Sequence, residues 1–135
     1  MDTQLPVLVV DDSAAMSRVV CGLLESCGFR QIEQARSGQA AFDQLHMWKF
    51  GLVISDVVMC PMNGLELLRA VRADRQLSDL CFVLMSALNK SEIVVEASLL
   101  KADCFLLKPF SLDTLRGRLS RLRKLHTHFQ TAAHT

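Results

Sequence analysis

The chain has 135 residues, which fits one domain and leaves little room for a second. Half of its residues are hydrophobic and 21% are charged, so it can bury a core, and its formal net charge of +1 gives no overall attraction to nucleic acid or membrane. No apolar run is long enough to span a bilayer, and the first residues lack the features of a signal peptide. We therefore expect a cytoplasmic protein that binds neither nucleic acid nor a membrane.

The cysteine pattern argues against cross-links and zinc. The count is odd and no C-x-x-C pair occurs, so neither a disulfide framework nor a zinc site is expected. Most of the cysteines stand inside apolar runs, and we expect buried free thiols that pack as small hydrophobic side chains. The five positions are Cys21, Cys27, Cys60, Cys81 and Cys104.

Short apolar runs alternate along the chain with segments that have the periodicity of a helix. The first half predicts a strand at residues 5–10, a helix from the N-cap Ser13 to the stop at Gly28, a weak polar strand at 31–35, a helix at 37–48 and a strand at 52–55. The second half predicts a helix that begins at the N-cap Asn63, a strand at 81–85, a helix at 89–100, a strand at 104–107 and a helix at 111–125. The domain is thus predicted over residues 1–125, followed by a polar C-terminal tail at 126–135.

Five strands that alternate with five helices predict an α/β fold, with helices on both faces of a parallel sheet. Four of the strands are continuous apolar runs, as expected for buried parallel strands, whereas the second is polar and suits an edge. The doubly wound, flavodoxin-like strand order 2-1-3-4-5 places that strand at an edge. We therefore predict a five-stranded parallel sheet in this order.

Polar side chains stand where four of the predicted strands end. Asp11 and Asp12 follow the first strand, and Asp56, Ser86 and Lys108 follow the third, fourth and fifth. The carboxyl ends of parallel strands meet at one edge of the sheet, where ligands bind in open α/β folds. The three carboxylates are therefore expected to converge, although they are far apart in the sequence.

Three neighbouring carboxylates repel one another unless a cation lies between them. Mg²⁺ prefers oxygen ligands and often binds between one or two carboxylates and a phosphate. Lys108 adds a charge suited to phosphate, and Ser86 adds a hydroxyl that can donate to a phosphoryl oxygen. Because an aspartate can form an acyl phosphate, these residue types indicate phosphoryl transfer with magnesium as the cofactor.

Five short motifs carry these residues: Val9-Val10-Asp11-Asp12-Ser13, Ile54-Ser55-Asp56, Met62-Asn63-Gly64, Met85-Ser86-Ala87 and Lys108-Pro109-Phe110. Each motif is weak alone, but the set is specific in this order and at this spacing. Over residues 5–125 the chain resembles a receiver domain of the two-component response regulators. The resemblance implies a chemotaxis-type, stand-alone receiver, since no output domain follows Leu125 in the sequence.

The resemblance also implies a phosphoacceptor and a metal site. Asp56 is the residue expected to carry the phosphoryl group, which a histidine kinase or a histidine phosphotransfer protein would donate. The expected magnesium ligands are Asp56, Asp12, the main-chain carbonyl of Val58 and, through water, Asp11.

A conformational switch is the third feature that the resemblance implies. Ser86 and Lys108 are expected to contact the phosphoryl group, and the Lys108-Pro109 bond is expected to be cis. Ser86 and Phe105 are the expected switch residues: phosphorylation would draw Ser86 inward and give the Phe105 ring room to follow. Partner binding would then change at the surface of helix 4, strand 5 and helix 5.

Two helices carry residues whose exposure bears on partner binding. The fourth has more apolar residues than a one-sided helix needs, so part of this set is expected to face a protein partner: Ile93, Val94, Val95, Leu99 and Leu100. The last helix carries basic residues that are expected to form a solvated face: Arg116, Arg118, Arg121, Arg123 and Lys124.

The chain departs from the family pattern at several positions. Pro61 stands one place later than the usual proline, and Lys101 replaces the usual glycine before the fifth strand. A positive φ at Lys101 would cost about 1 kcal/mol. Val58 and Leu88 occupy positions that tune dephosphorylation in similar proteins, and apolar side chains there predict slow loss of the phosphoryl group.

Three other functions fit the sequence less well. A hydrolase with an aspartate nucleophile needs a second carboxylate two residues later, where Val58 stands. We therefore expect that the protein is not an enzyme. It is expected to be a signalling switch, which promotes only its own phosphorylation and dephosphorylation. A flavin carrier needs a phosphate loop after the first strand, and Asp11-Asp12 has the wrong charge for it. The remaining alternative is a pseudo-receiver, an interaction module that works without phosphorylation.

Overall fold

The computed structural model describes residues 1–126, in which strands and helices alternate along the chain. The first half contains β1 (Val7–Val10), α1 (Ala14–Ser26), β2 (Ile32–Ala35), α2 (Gly38–Met47) and β3 (Leu52–Asp56). The second half contains α3 (Gly64–Ala73), β4 (Cys81–Ser86), α4 (Ser91–Leu99), β5 (Cys104–Leu107), α5 (Leu112–Ser120) and a short 3₁₀ helix (Arg123–His126). Within these 126 residues no helix combines the length and the apolar character needed to cross a membrane.

All five strands pair in parallel, in the order β2-β1-β3-β4-β5. This is the doubly wound order, so the predicted α/β architecture and strand order are confirmed. Strand β1 pairs through Val7 with Ile32 of β2 and with Leu52 of β3. β2 lies at an edge and exposes Glu33 and Gln34, which explains why its sequence is more polar than that of the other strands.

The sheet separates two hydrophobic cores. Alternate residues of β1 point to opposite faces: Val7 and Val9 pack with α1 and α5, and Leu8 and Val10 pack with α2, α3 and α4. All four side chains are completely buried. Burial on both faces explains the continuous apolar run from which this strand is predicted.

Polar side chains fix where the helices begin. Ser13 accepts a hydrogen bond from the Met16 amide at the start of α1. Asn63 and Glu66 form a reciprocal capping box at the start of α3, with bonds of 2.8 Å and 3.0 Å between side-chain oxygens and main-chain amides. α3 therefore begins at a fixed point directly after the loop that follows β3.

Two residues with positive φ end helices. Gly28 follows α1 with a φ of 105°, as its predicted role as a stop requires. Lys101 follows α4 with a φ of 65°, so this lysine occupies the strained region in which the family usually places glycine. Nη2 of Arg72 donates to the Lys101 carbonyl oxygen at 2.8 Å and to the Asp103 carboxylate at 3.0 Å. These bonds hold the turn before β5.

The last helix is shorter than the sequence predicts. One helix is predicted at 111–125, whereas α5 ends at Ser120 and a separate 3₁₀ helix follows. In that 3₁₀ helix Leu125 is fully buried, and Nζ of Lys124 lies 3.1 Å from the Asp103 carboxylate. The chain thus continues after α5 as a tighter 3₁₀ turn. The regular leucine spacing therefore predicted the wrong helix length.

Lys124 also corrects the prediction of a fully solvated basic face. Its ammonium pairs with Asp103 and, at 3.6 Å, with Asp79, so it joins the C-terminal turn to the body of the domain. The other members of the predicted face are exposed: Arg116, Arg118, Arg121 and Arg123. His126 completes the 3₁₀ helix, and positions 127–135 of the predicted tail lie outside the described residues.

The five cysteines are free, as expected. The buried ones are Cys21, Cys81 and Cys104, and burial raises the pKa of the Cys81 thiol to about 12. The expectation of burial is wrong for Cys60, which is exposed, and for Cys27, which is half-buried. Cys60 lies in the loop between β3 and α3, where its neighbour Met59 takes the buried position instead.

Candidate functional site

The carboxyl ends of four strands carry the predicted site residues. Asp56 and Ser86 are the last residues of β3 and β4, and Asp11 and Lys108 directly follow β1 and β5. Main-chain bonding continues past the strand ends: the Asp11 amide donates to Ala35 at 3.1 Å, and the Lys108 amide donates to Ser86 at 2.8 Å. The side chains therefore extend from well-held backbone, which favours a defined geometry.

Asp11, Asp12 and Asp56 form a cluster of three carboxylates. One carboxylate oxygen from each residue lies within 4.8 Å of those of the other two. Asp11 is fully buried and Asp56 is 7% exposed, whereas Asp12 faces solvent. Residues far apart in the sequence are thus brought together at one edge of the sheet.

Lys108 is the cation beside this cluster. Its Nζ lies 3.2 Å from Oδ2 of Asp56 and 3.7 Å from Oδ2 of Asp11. Burial raises the pKa of the Asp56 carboxyl, the Lys108 ammonium opposes this rise, and the Asp11 carboxylate adds to it. One ammonium beside three carboxylates leaves negative charge uncompensated.

The cluster has the donor atoms of a divalent cation site. Oδ2 of Asp11 is buried and has no hydrogen-bond partner in the part of the chain that the structure describes. A buried carboxylate oxygen without such a partner is costly, and a bound cation would satisfy it. Three oxygen donors with excess negative charge fit a hard ion such as Mg²⁺. Asp11, Asp12 and Asp56 are the side chains that would hold it.

Two contacts fix the main chain around Asp56. The Ser55 hydroxyl donates to the Asp56 carbonyl oxygen at 3.0 Å, and the Gly64 amide donates to the Val57 carbonyl oxygen at 2.9 Å. Gly64 approaches so closely that a Cβ on it would overlap the Asp56 carbonyl oxygen. The Asn63-Gly64 pair marks this approach in the sequence, whereas no sequence pattern identifies Ser55 as a contact of the site.

The loop between β3 and α3 has one feature that the sequence analysis missed. The Cys60-Pro61 peptide is cis, as is the Lys108-Pro109 peptide, for which the resemblance implies this form. The shifted proline gave no sign of the first cis bond. In the same loop Val58 is 54% exposed, and its main-chain amide lowers the pKa of the Asp56 carboxyl. The role of the Val58 carbonyl as a metal ligand stays a prediction.

Ser86 and Phe105 lie on the same face of the sheet. Phe105 pairs with Leu84, which is two residues before Ser86 in β4. Ser86 is fully buried, and its Oγ accepts a hydrogen bond from the Leu88 amide at 2.9 Å, which leaves the hydroxyl hydrogen for another acceptor. Ser86 does not cap α4, whose N-cap is Lys90. Phe105 is half-buried against the core under α2, α3 and α4.

An apolar surface lies on α4 and β5. Val94 is exposed and Ile93 is only half-buried, as the prediction of a partner surface requires. Val95 and Leu99 stand four residues apart on the outer side of α4 and are 56% and 76% exposed, and Leu107 of β5 is 46% exposed. We call Val94, Val95, Leu99 and Leu107 the α4–β5 surface.

The sequence matches a known domain and known proteins over most of its length. Residues 7–120 match the response regulator receiver domain. The chain is 32% identical over 118 residues to the chemotaxis protein CheY of Pseudomonas aeruginosa, and the match covers 87% of this chain and 95% of that protein. It is also 32% identical over 122 residues to the chemotaxis protein CheY-3 of Vibrio cholerae, covering 90% and 94% of the two chains.

Solved structures agree with the sequence matches. The chemotaxis protein CheY4 of Vibrio cholerae superposes with a TM-score of 0.81 at 31% identity, over 88% of this chain and 98% of that one. The receiver domain of a histidine kinase from Syntrophus aciditrophicus superposes with a TM-score of 0.79 at 30% identity, over 87% and 89%. Fold and site thus define a signalling domain of the two-component class. The chain belongs to the response regulator receiver domain family and is of the CheY type.

Proposed function

We propose that this receiver is a signalling switch, activated when a histidine kinase or a histidine phosphotransfer protein phosphorylates Asp56. The observation that carries the proposal is the contact between Asp56 and Lys108, 3.2 Å apart in a cluster of three carboxylates. Such a pair offers a nucleophile beside a charge that can bind phosphoryl oxygens. A cytoplasmic location is part of the proposal.

The proposed reaction moves a phosphoryl group from a histidine of the donor protein. An oxygen of Asp56 forms the new P–O bond while the P–N bond of the donor breaks, and the histidine nitrogen leaves with the electron pair. The Lys108 ammonium offsets negative charge on the incoming phosphoryl oxygens. Mg²⁺, when bound, supplies further positive charge at the carboxylates. Asp11 and Asp12 would hold the ion beside Asp56.

Ser86 and Phe105 are the proposed parts of the switch. The Ser86 hydroxyl can donate to a phosphoryl oxygen on Asp56, because Asp56 and Ser86 end neighbouring strands. Movement of Ser86 inward makes room on the face of the sheet that it shares with Phe105. The Phe105 ring carries no hydroxyl that would need a polar partner on burial, so its inward conformation is accessible. Phosphorylation then shifts the population towards that conformation.

The α4–β5 surface, together with α5, is the proposed site of output binding. It exposes apolar side chains directly beside Phe105, which stands two residues before Leu107 in β5. An apolar surface of this kind is typical of a site that binds a protein partner. The chemotaxis names of the relatives support a receiver that acts by changing its affinity for another protein.

Two features support a switch rather than a hydrolytic enzyme. Val58 stands two residues after Asp56, where a hydrolase of this chemistry carries its second carboxylate. Ser86, in contrast, ends the strand next to that of Asp56, and Phe105 lies on the same face of the sheet in β5, the strand that carries Leu107. A pseudo-receiver that works without phosphorylation is the alternative, and the observation that favours it is the altered loop after Asp56, in which Pro61 stands one place later than the usual proline.

Beryllofluoride with Mg²⁺ tests this proposal, because it binds an aspartate carboxylate as an analogue of the phosphoryl group. In wild type we expect the amide resonances of Ser86, Phe105 and residues 91–99 to shift, and in Asp56→Asn we expect no shift. Asp113→Asn, which changes a carboxylate whose side chain is 97% exposed, is the control and should respond as wild type does. Failure of the wild type to respond would favour the pseudo-receiver. If the amide resonances of α4 did not shift in wild type, that result would contradict the switch.

A further inference from the structure

His46 and Asp74 join two helices at the edge of the sheet opposite the acidic cluster. His46 lies in the last turn of α2, and Asp74 is the C-cap of α3. Nε2 of His46 lies 2.6 Å from Oδ2 of Asp74, and Nδ1 lies 2.8 Å from the Phe42 carbonyl oxygen. The imidazole also contacts the Phe42 ring edge to face, with 4.6 Å between the ring centroids. The histidine is therefore held on three sides.

Both ring nitrogens of His46 face oxygen acceptors. A carbonyl oxygen and an ionised carboxylate accept hydrogen bonds and donate none, so each nitrogen must carry a proton for both bonds to form. Only the imidazolium has two N–H groups, whereas a neutral imidazole can keep one bond and must give up the other. The geometry thus selects the charged form of His46.

The surrounding charges favour the same form. The hydrogen bond to the Phe42 carbonyl and then the bond to Asp74 raise the pKa of His46 above its ordinary value of 6.5, and the carboxylates of Asp74 and Asp43 add to the rise. The bond from His46 lowers the pKa of Asp74. Asp43 belongs to α2 itself, and the other charged groups beside the histidine are Lys49 and Asp79, which line the adjoining cavity.

That cavity has a volume of about 430 Å³ and lies between the end of α2 and the turn after α3. The segment after His46 forms one wall, and Gln76, Leu77 and Leu80 form the other. In that first wall Met47 and Trp48 are 70% and 66% exposed, whereas Leu45 of the same turn is buried in the core. Within residues 1–126, the polar contact that joins the end of α2 to the end of α3 beside this cavity is the bond between His46 and Asp74.

We propose that His46 and Asp74 form a pH-sensitive clamp, which holds the end of α2 against the turn after α3 while His46 is protonated and loosens when His46 loses its proton. The clamp is independent of the proposed phosphorylation, since none of its residues belongs to the acidic cluster. Neutral His46 loses its charge and one of its two hydrogen bonds, so the contact between the two helix ends weakens and the segment that carries Met47 and Trp48 is held less firmly. A change of pH thereby alters a surface away from the α4–β5 surface.

The way in which the stability of the clamp depends on pH follows from the pKa shifts of His46 and Asp74. Because His46 has a raised pKa in the folded state, the stability that the clamp contributes is complete below 6.5 and is lost as the pH rises through the raised value. Because Asp74 has a lowered pKa, the contribution is also lost in acid, as the pH falls through that lowered value. The clamp is therefore closed between these two titrations.

An NMR titration tests the clamp in the intact chain. We expect the His46 ring to titrate above 6.5 in wild type, and Asp74→Asn to reduce that upward shift while the bond to the Phe42 carbonyl maintains the rest of it. Amide resonances at 42–49 and at 74–77 should move with the same midpoint, and His46→Gln should abolish the movement in both segments. Asp43→Asn is the matched control and should reduce the shift of the His46 midpoint less than Asp74→Asn does.

Two results would overturn the clamp. One is a His46 midpoint at or below 6.5, which an ordinary surface histidine would give. The other is a titration in which residues 74–77 do not follow the His46 midpoint, because the two helices would then not be joined through this bond. The wild-type readout needs no mutant, so poor folding of a variant cannot hide either result.

Discussion

Nζ of Lys108 lies 3.2 Å from Oδ2 of Asp56, so the proposed phosphoacceptor has one cation beside it. That ammonium is shared with Asp11, whose Oδ2 is 3.7 Å away. The contact reduces the free-energy penalty of burying the Asp56 carboxylate but does not remove it, because burial still holds the pKa of Asp56 above its ordinary value. The folded domain therefore carries an unfavourable charge at the position where the proposed chemistry occurs.

Asp56→Asn should stabilise the domain at neutral pH when Mg²⁺ is absent. A carboxyl with a raised pKa binds its proton more tightly in the folded state, so stability falls as the pH rises from 3.8 through the raised value, and the penalty is complete above it. Removal of the charge should raise the free energy of unfolding by about 1 kcal/mol, a usual size for one substitution. Urea unfolding at several pH values measures this change.

The gain from Asp56→Asn should shrink as the pH falls, because the wild-type carboxyl then becomes neutral. Asp113→Asn is the control, since that carboxylate is 97% exposed and should give no comparable gain. A variant that is less stable than wild type at neutral pH would show that Lys108 compensates Asp56 fully.

Gly64→Ala should disturb both the fold and the site. The new Cβ would overlap the Asp56 carbonyl oxygen and would lie 3.0 Å from the Val57 Cα, and main chain cannot move aside as a flexible side chain can. We expect a loss of about 1–3 kcal/mol, the range for overpacking, together with slower phosphorylation of Asp56. Denaturant unfolding and adduct formation measure the two effects.

Gly22→Ala provides a matched comparison for Gly64→Ala. Gly22 lies inside α1 with no atom within 4 Å of an added Cβ, so the same change should increase stability there by about 0.5–1 kcal/mol. Equal effects at the two positions would contradict the close approach between Gly64 and Asp56.

Lys101→Gly should leave the domain more stable than Ala102→Gly does, by about 1 kcal/mol. Lys101 has a φ of 65°, a conformation that costs a side chain with a Cβ roughly this amount and costs glycine little. Its carbonyl still accepts the bond from Arg72, because that bond uses only main-chain oxygen. The freedom that glycine adds to the unfolded chain costs about 0.5–1 kcal/mol in both variants, and released strain offsets this cost at Lys101 but not at Ala102. Equal losses of stability in the two variants would show that φ at Lys101 carries no strain.

Val58 and Leu88 should govern how long the phosphoryl group survives on Asp56. Their apolar side chains are 54% and 39% exposed and have no group that could orient an attacking water. Val58→Asn combined with Leu88→Glu should speed the loss of the phosphoryl group by about tenfold, a barrier change of about 1.4 kcal/mol. Decay of the labelled protein gives the rate, and Val95→Asn on α4 is the control. An unchanged decay rate in the double variant would contradict the role of Val58 and Leu88.

The strand order and the position of the site could be predicted because both depend on strong, local patterns. Continuous apolar runs mark strands that are buried on both faces, and a parallel sheet brings their carboxyl ends to one edge. The contact of Lys108 with Asp56 follows from that rule once the order is known. The positive φ of Lys101 was also predictable, because this lysine stands where the family has glycine.

The features that the sequence did not reveal depend on contacts between distant residues. The pairing of His46 with Asp74 needs two helix ends to meet, and neither residue has a neighbouring motif. After the early end of α5 Lys124 pairs with the distant Asp103, whereas the leucine spacing continues unchanged past that point. Helical periodicity reports which face is buried and cannot report such long-range pairs.

Intact-mass spectrometry after incubation with acetyl phosphate tests the central claim most directly. Wild type and Asp56→Asn are compared, each with and without Mg²⁺. We predict one phosphoryl adduct in wild type with Mg²⁺ and none in the other three samples, because the reaction needs both the Asp56 nucleophile and a cation at the three carboxylates. An adduct on Asp56→Asn, or an equal yield without Mg²⁺, would contradict the account of this site.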